Sequence, residues 1–183
     1  RYPWDADLSF SIHVTKPTSF IWALRIPGWC KQAEVQVNGE AISLDHLEKG
    51  YVEIQRIWND GDVVSLHLAM PVERIRSNPL VSMNQQQIAL QRGPIVFCLE
   101  AVDNGANLAG LRLPKDSLIA EEFSESLLGG VVKLTTEGYR VKGSTALYSS
   151  EPPELVPQQI TAIPYYAWCN RAKGEMRVWI YES

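Results

Sequence analysis

The sequence predicts an all-β protein built as two small antiparallel β-sandwich (jelly-roll-like) domains. Three observations predict it. Apolar and polar residues alternate with period two in several segments, the spacing at which side chains share one face of a strand. Turn signals recur about every ten residues, as they do in sandwiches and barrels. No heptad, long amphipathic helical pattern or useful internal repeat competes with these signals. The 183 residues, 45% hydrophobic and 21% charged, suffice for one large or two small β cores.

In Leu8–Thr15 the even positions Leu8, Phe10, Ile12 and Val14 are apolar and the odd ones polar, so one face is buried and the other wet. Lys16-Pro17-Thr18-Ser19 stops this strand. The next, Phe20–Ile26, sets Phe20, Trp22, Leu24 and Ile26 on one face, and the two are expected to pair with each other. Pro27-Gly28 ends it. Val35–Val37 is a short strand. Asn38-Gly39 then marks a tight hairpin, because a type I′ turn needs positive φ at both central positions, and Ala41-Ile42 begins the return. Tyr51–Trp58 and Val63–Leu68 flank the turn Asn59-Asp60-Gly61-Asp62, and Val72–Arg76 resumes after Pro71.

Asn78-Pro79 separates a second block. Gln86–Gln91 and Ile95–Glu100 read as strands around Arg92-Gly93-Pro94. Asp103–Gly130 is loop-rich, with a short helix expected near Ser117–Ser126. Val131–Thr135 and Tyr139–Val141 are expected to pair across Glu137-Gly138. Glu151-Pro152-Pro153-Glu154 reads as a turn, and Gln159–Trp168 and Met176–Tyr181 as the last extended segments.

The net charge of −4 and the pI of about 5.4 come without a basic stripe, which excludes nucleic acid as an expected partner. The longest apolar runs, such as Ile95–Leu99, are far too short to cross a bilayer as a helix, so no membrane association is expected. The chain opens on Arg1-Tyr2-Pro3-Trp4, with neither an initiator Met nor an apolar leader, and is expected to be a fragment of a longer protein. Three dispersed cysteines, Cys30, Cys98 and Cys169, form no disulfide framework and point to a reducing, cytoplasmic compartment. They form no Cys-x-x-Cys pair and no His cluster accompanies them, so no cofactor or metal is expected in this chain.

Paired carboxylates would be the signature of glycoside hydrolysis. Here Asp60, Asp62 and Asp103 fall in turns and Glu53 on a wet strand face, where a solvated charge is the simpler reading. His13, His46 and His67 form no set, and no nucleophile elbow or phosphate-cradling loop is present. Six tryptophans are many for this length, and Trp and Tyr can stack on sugar rings. Trp22 shares its face with Phe20 and Leu24 and is assigned to the core. Trp29 and Trp168, with Tyr165 and Tyr166, are the candidates for carbohydrate binding or for an interface.

Several segments, in order, carry a family resemblance. They are Tyr2-Pro3-Trp4-Asp5, Leu24-Arg25-Ile26-Pro27-Gly28-Trp29-Cys30, Val37-Asn38-Gly39, Gly50-Tyr51-Val52-Glu53-Ile54 and Trp58-Asn59-Asp60-Gly61-Asp62. Met70-Pro71-Val72, Ala89-Leu90-Gln91-Arg92-Gly93-Pro94, Ile163-Pro164-Tyr165-Tyr166-Ala167-Trp168 and Gly174-Glu175-Met176-Arg177-Val178-Trp179 follow. Together they resemble the C-terminal β-sandwich region of glycoside hydrolase family 127, the β-L-arabinofuranosidase family, without its catalytic α/α barrel. The resemblance is weakest between Asn104 and Val156.

The resemblance implies a retaining mechanism, with a cysteine nucleophile and a glutamate acid/base, and a zinc held by cysteines and a glutamate. All of these belong to the barrel. Cys30 lies in the Pro-Gly-Trp-Cys motif of the sandwich and takes no catalytic or metal role, and Cys98 and Cys169 match no catalytic motif. The resemblance also implies that the last strand returns to the first sandwich, giving domains of 1–85 plus 174–183 and of 86–173. The expected role is that of an inactive accessory region supporting the parent's own catalytic barrel, its cleft wall or a homodimer interface. The alternative is an autonomous carbohydrate-binding module for an arabinose-containing glycan.

Overall fold

The computed structural model describes residues 1–143 and 146–183. The chain divides into two compact units, Arg1–Pro71 and Val72–Ser183.

The first unit is a sandwich of unequal layers. Its strands are β1 (Asp7–Ser11), β2 (Thr18–Arg25), β3 (Ala33–Val37), β4 (Glu40–Ile42), β5 (Tyr51–Trp58) and β6 (Val63–Leu68). One layer is four-stranded, in the order β1-β6-β3-β4, and the other holds only β2 and β5. The period-two pattern identifies the core correctly. Val35, Val37, Val64, Leu66 and Leu68 from one layer meet Leu24, Val52, Ile54 and Trp58 from the other. Trp58 is fully buried and its indole N–H donates to the Phe20 carbonyl at 3.1 Å, so its one polar atom is satisfied. The expected pairing of the first two strands is corrected. β1 pairs with β6 and β2 with β5. β1 and β2 lie in opposite layers and meet through side chains, the Phe10 and Trp22 rings standing edge to face at 5.5 Å. β1 also ends at Ser11 rather than Thr15. The Asn38-Gly39 hairpin forms as expected, with φ of 52° and 83°.

The second unit holds β7 (Val72–Arg76), β8 (Gln87–Arg92), β9 (Ile95–Glu100), a single helical turn α1 (Ala101–Asn104), β10 (Leu111–Leu113), β11 (Ile119–Ser124), β12 (Val131–Val141), β13 (Leu155–Pro164), β14 (Met176–Arg177) and β15 (Ile180–Glu182). Among the described residues its nine strands form one continuous ladder. Followed from β9 through β13, β12, β10, β15 and β8, the pairings return to β9. Among the described residues every pairing of this unit is antiparallel except β10 with β15. This closure leaves few free edges to cover.

Three expectations for this unit are corrected. The segment expected to be helical is strand β11, paired with β12 from Ile119↔Thr136 to Ser124↔Val131. Val131–Val141 is one strand rather than a hairpin. It passes straight through Gly138, where a Cβ would lie 2.6 Å from the Arg112 carbonyl and nearer still to Ile160 Cδ1, so glycine is there for close approach and not for a turn. The domain division of 1–85 plus 174–183 and 86–173 gives way to one between Pro71 and Val72. Val72–Arg76 pairs with β8, and the last strand, expected to return to the first sandwich, pairs with β8 and β10 of the second unit. Charge reinforces this arrangement. Glu182 accepts from Arg74 at 3.2 Å and from Arg76 at 2.6 Å, tying β15 to β7. Burial opposes ionisation of Glu182, but the two arginines outweigh it and hold the carboxyl below its usual range.

Candidate functional site

The four candidates separate into two places. Trp29 belongs to the first unit, and Tyr165, Tyr166 and Trp168 share one turn of the second.

Trp29 sits in the turn after β2, closed by the Cys30 N–H donating to the Pro27 carbonyl at 3.0 Å. It is half-buried and packs on the first unit's core. A groove of about 530 Å³ opens beside it, lined by Tyr2, Leu8, Phe10, Leu24 and Leu66 among others. Trp29 is therefore a wall of an apolar groove and not an isolated surface platform. On the outer face of the two-stranded layer, Ile21 and Ile57 are 53% and 60% exposed.

Tyr165, Tyr166 and Trp168 follow β13 on one 3-10 turn whose inner residue, Ala167, is buried. The three aromatics are 44%, 61% and 39% exposed. The turn is fixed from several directions. The Trp168 N–H donates to the Tyr165 carbonyl at 3.2 Å, and Asn170 Nδ2 donates to the carbonyls of Ala167 and Trp168. The Cys169 N–H donates to Glu100 Oε1 at 2.7 Å. Glu100 is buried at the end of β9, and its other oxygen accepts from Arg171 at 2.6 Å. Arg171 also donates two hydrogen bonds to Asp103 of α1. Asp103 chiefly, then Glu100, holds the guanidinium proton more firmly than usual against the opposing effect of burial. Arg171 Nε is buried without a hydrogen-bond partner. Partial desolvation raises the Tyr166 phenol above its ordinary value.

Glu100, Asp103, Asn170 and Arg171 are absent from the sequence-derived candidates. One signal was available: Glu100 ends the apolar run Ile95–Leu99, where a carboxylate calls for a partner. Its partner, 71 positions away, is visible only in the fold.

The cysteines do not fit the zinc site that the family implies. Cys30 Sγ donates to the Gln32 carbonyl at 3.1 Å, and burial first, then Glu100, pushes the Cys98 thiol up to about 12. Cys169 is exposed. Among the described residues no three His, Cys, Asp or Glu side chains converge as a metal would require.

The model of the β-L-arabinofuranosidase GH127 middle domain matches residues 1–70, and that of the glycoside hydrolase family 127 C-terminal domain matches residues 72–181. The boundary between them falls where the two units divide. Fold and matches together define the class: a two-domain β region of a glycoside hydrolase. The chain belongs to glycoside hydrolase family 127, its two units matching the family's middle and C-terminal domains.

It is 34% identical over 194 residues to the non-reducing end β-L-arabinofuranosidase of Bifidobacterium longum subsp. longum, covering 97% of this chain and 29% of that protein. Against the crystal structure of a GH127 β-L-arabinofuranosidase from Geobacillus stearothermophilus T6 it is 47% identical with a TM-score of 0.94, covering all of this chain and 29% of that one. A GH127 β-arabinofuranosidase structure is 31% identical with a TM-score of 0.88 over 30% of its length. The chain thus spans less than a third of the relatives it matches.

Proposed function

We propose that this chain is the non-catalytic accessory region of a retaining β-L-arabinofuranosidase, buttressing the catalytic barrel. The observation that carries this reading is the match of the whole chain to the middle and C-terminal domains alone, over 29% of the relatives' length. The exposed aliphatic face of Ile21 and Ile57 supports a docking role, since two outward isoleucines on a thin sandwich layer suit a protein neighbour better than water. In this reading the zinc and the acid/base glutamate reside in the barrel, and a homodimer contact and a cytoplasmic location complete the proposal.

The test is activity. The purified chain incubated with an aryl β-L-arabinofuranoside is expected to release no phenol above the buffer rate. Turnover that co-purifies with the chain through two separate columns would overturn the accessory role.

A further inference from the structure

We propose that the Tyr165–Arg171 turn of the second unit is a saccharide-binding surface that stacks the C–H face of a neutral sugar ring on its exposed aromatics. The argument starts from rigidity. Exposed Tyr and Trp side chains serve as anchors when their backbone is already ordered, because little conformational entropy remains to be lost on binding. This turn is ordered from several sides: Ala167 is buried, Asn170 ties two carbonyls, and buried Glu100 holds the Cys169 N–H. The unit's core gains little from aromatics at these positions, which stay 39–61% exposed.

The chemistry of the rim selects the ligand class. The exposed rings of the turn are two tyrosines and a tryptophan, each with an apolar ring and a polar edge. Around them stand Asn170 and the Asp103–Arg171 pair. Asp103 accepts from Arg171 on both oxygens and keeps spare lone pairs for hydroxyl donors. Ring faces bordered by hydroxyl-binding groups suit a sugar. The outer face of β2 and β5, where Ile21 and Ile57 are exposed, has the aliphatic character of a protein-docking surface. A pentofuranose as the preferred sugar rests on the reading proposed above; the stacking surface does not.

The experiment is a ¹H–¹³C aromatic and ¹H–¹⁵N NMR titration of the 183-residue chain with methyl β-L-arabinofuranoside and, separately, with methyl β-D-glucopyranoside. Saturable shifts confined to residues 100–103 and 165–171 are expected, with millimolar affinity. Tyr166→Ala should weaken binding about tenfold, equivalent to about 1.4 kcal/mol, and Tyr166→Phe should retain it, since the ring remains. Amide spectra of both variants matching the parent outside the turn would confirm their folding. A response to the glucoside alone supports the surface and removes the pentofuranose preference. Shifts elsewhere, no shifts with either sugar, or equal affinity in a folded Tyr166→Ala chain would each overturn the proposal. The activity assay above is independent, so failure of either reading is seen separately.

Discussion

The two units solve the same problem, covering β-sheet, in different ways. The first packs a four-stranded layer against a two-stranded one and keeps its charged side-chain contacts at the surface: the Arg1–Asp5 ion pair and the His13–Asp60 and His67–Asp7 hydrogen bonds are all largely exposed. Such exposed contacts, screened by water, contribute little, so its stability rests on the apolar cluster around Trp58. The second closes its ladder and draws charge inward. Glu182 lies against Arg74 and Arg76, and Glu100 against Arg171, with the two carboxylates 8% and 5% exposed. Glu175, which is exposed, accepts from the backbone N–H groups of Leu108 and Asn107, which hold its carboxyl below the usual range. The difference follows from construction. A closed ladder joined by irregular connections has backbone and loop ends to satisfy inside, and ionised side chains do this with several strong hydrogen bonds at once.

The comparison breaks first at Arg171. Replacing it by Met leaves Glu100 buried and unpaired, and removing one partner of a buried pair costs about 3–5 kcal/mol. Urea denaturation followed by amide signals of β12 and β13 should show the second unit destabilised by that amount. A loss below about 1 kcal/mol would mean that the pair behaves as a surface one, and the contrast would collapse.

Trp58→Ala is the matching cut in the first unit, at the low end of the same range because its hydrogen bond to the Phe20 carbonyl is a single neutral one. Truncating a fully buried Trp costs about 3–5 kcal/mol and also opens a cavity against Phe20 and Trp22, whose rings stand 5.5 Å and 5.7 Å away. Hydrogen exchange should lose protection across β2, β5 and β6 while β12 and β13 keep theirs. Loss of protection in both units together would show a single cooperative unit instead of two.

Sequence periodicity shows which face of a strand is buried, not which strand lies beside it. Leu8, Phe10, Trp22 and Leu24 all point to one core, as their alternation requires, yet β1 and β2 prove to be opposite layers and not neighbours. Local turn chemistry was legible at Asn38-Gly39, because φ is a property of those two residues. It misled at Gly138, where the constraint comes from Ile160 and Arg112 on neighbouring strands. The site divides along the same line. The aromatics of the Tyr165–Trp168 turn stand out in sequence, whereas Glu100, Asp103 and Arg171, which hold the turn in place, meet only through the fold. The family resemblance reached the right family but placed the last strand in the wrong unit, since pairing with β8 and β10 is decided by tertiary ladder geometry.

The smallest expected effect sharpens the contrast from the acid side. Asp62 is the one buried polar side chain of the first unit among the described residues, and neutral donors hold it: the Asn59 backbone N–H at 2.8 Å and Asn38 Nδ2 at 2.9 Å. The first of these, with the second behind it, lowers its pKa below the ordinary aspartate value of 3.8. A carboxyl depressed in the folded state binds its proton more readily when unfolded. Its contribution is therefore complete above pH 3.8 and fades as pH falls through the lower folded value. Asp62→Asn removes the titration while keeping a side-chain acceptor for one of the two donors. The variant should be slightly less stable than the parent at neutral pH, and its first-unit stability should fall less steeply below pH 3.8 in urea titrations read from the amides of β5 and β6. The second unit, whose acid sensitivity lies in Glu175 and Glu182, should show the same acid profile in both proteins. An unchanged slope in the first unit would show that the clasp between the Asn38 hairpin and the Asn59–Asp62 turn works without the carboxylate's charge.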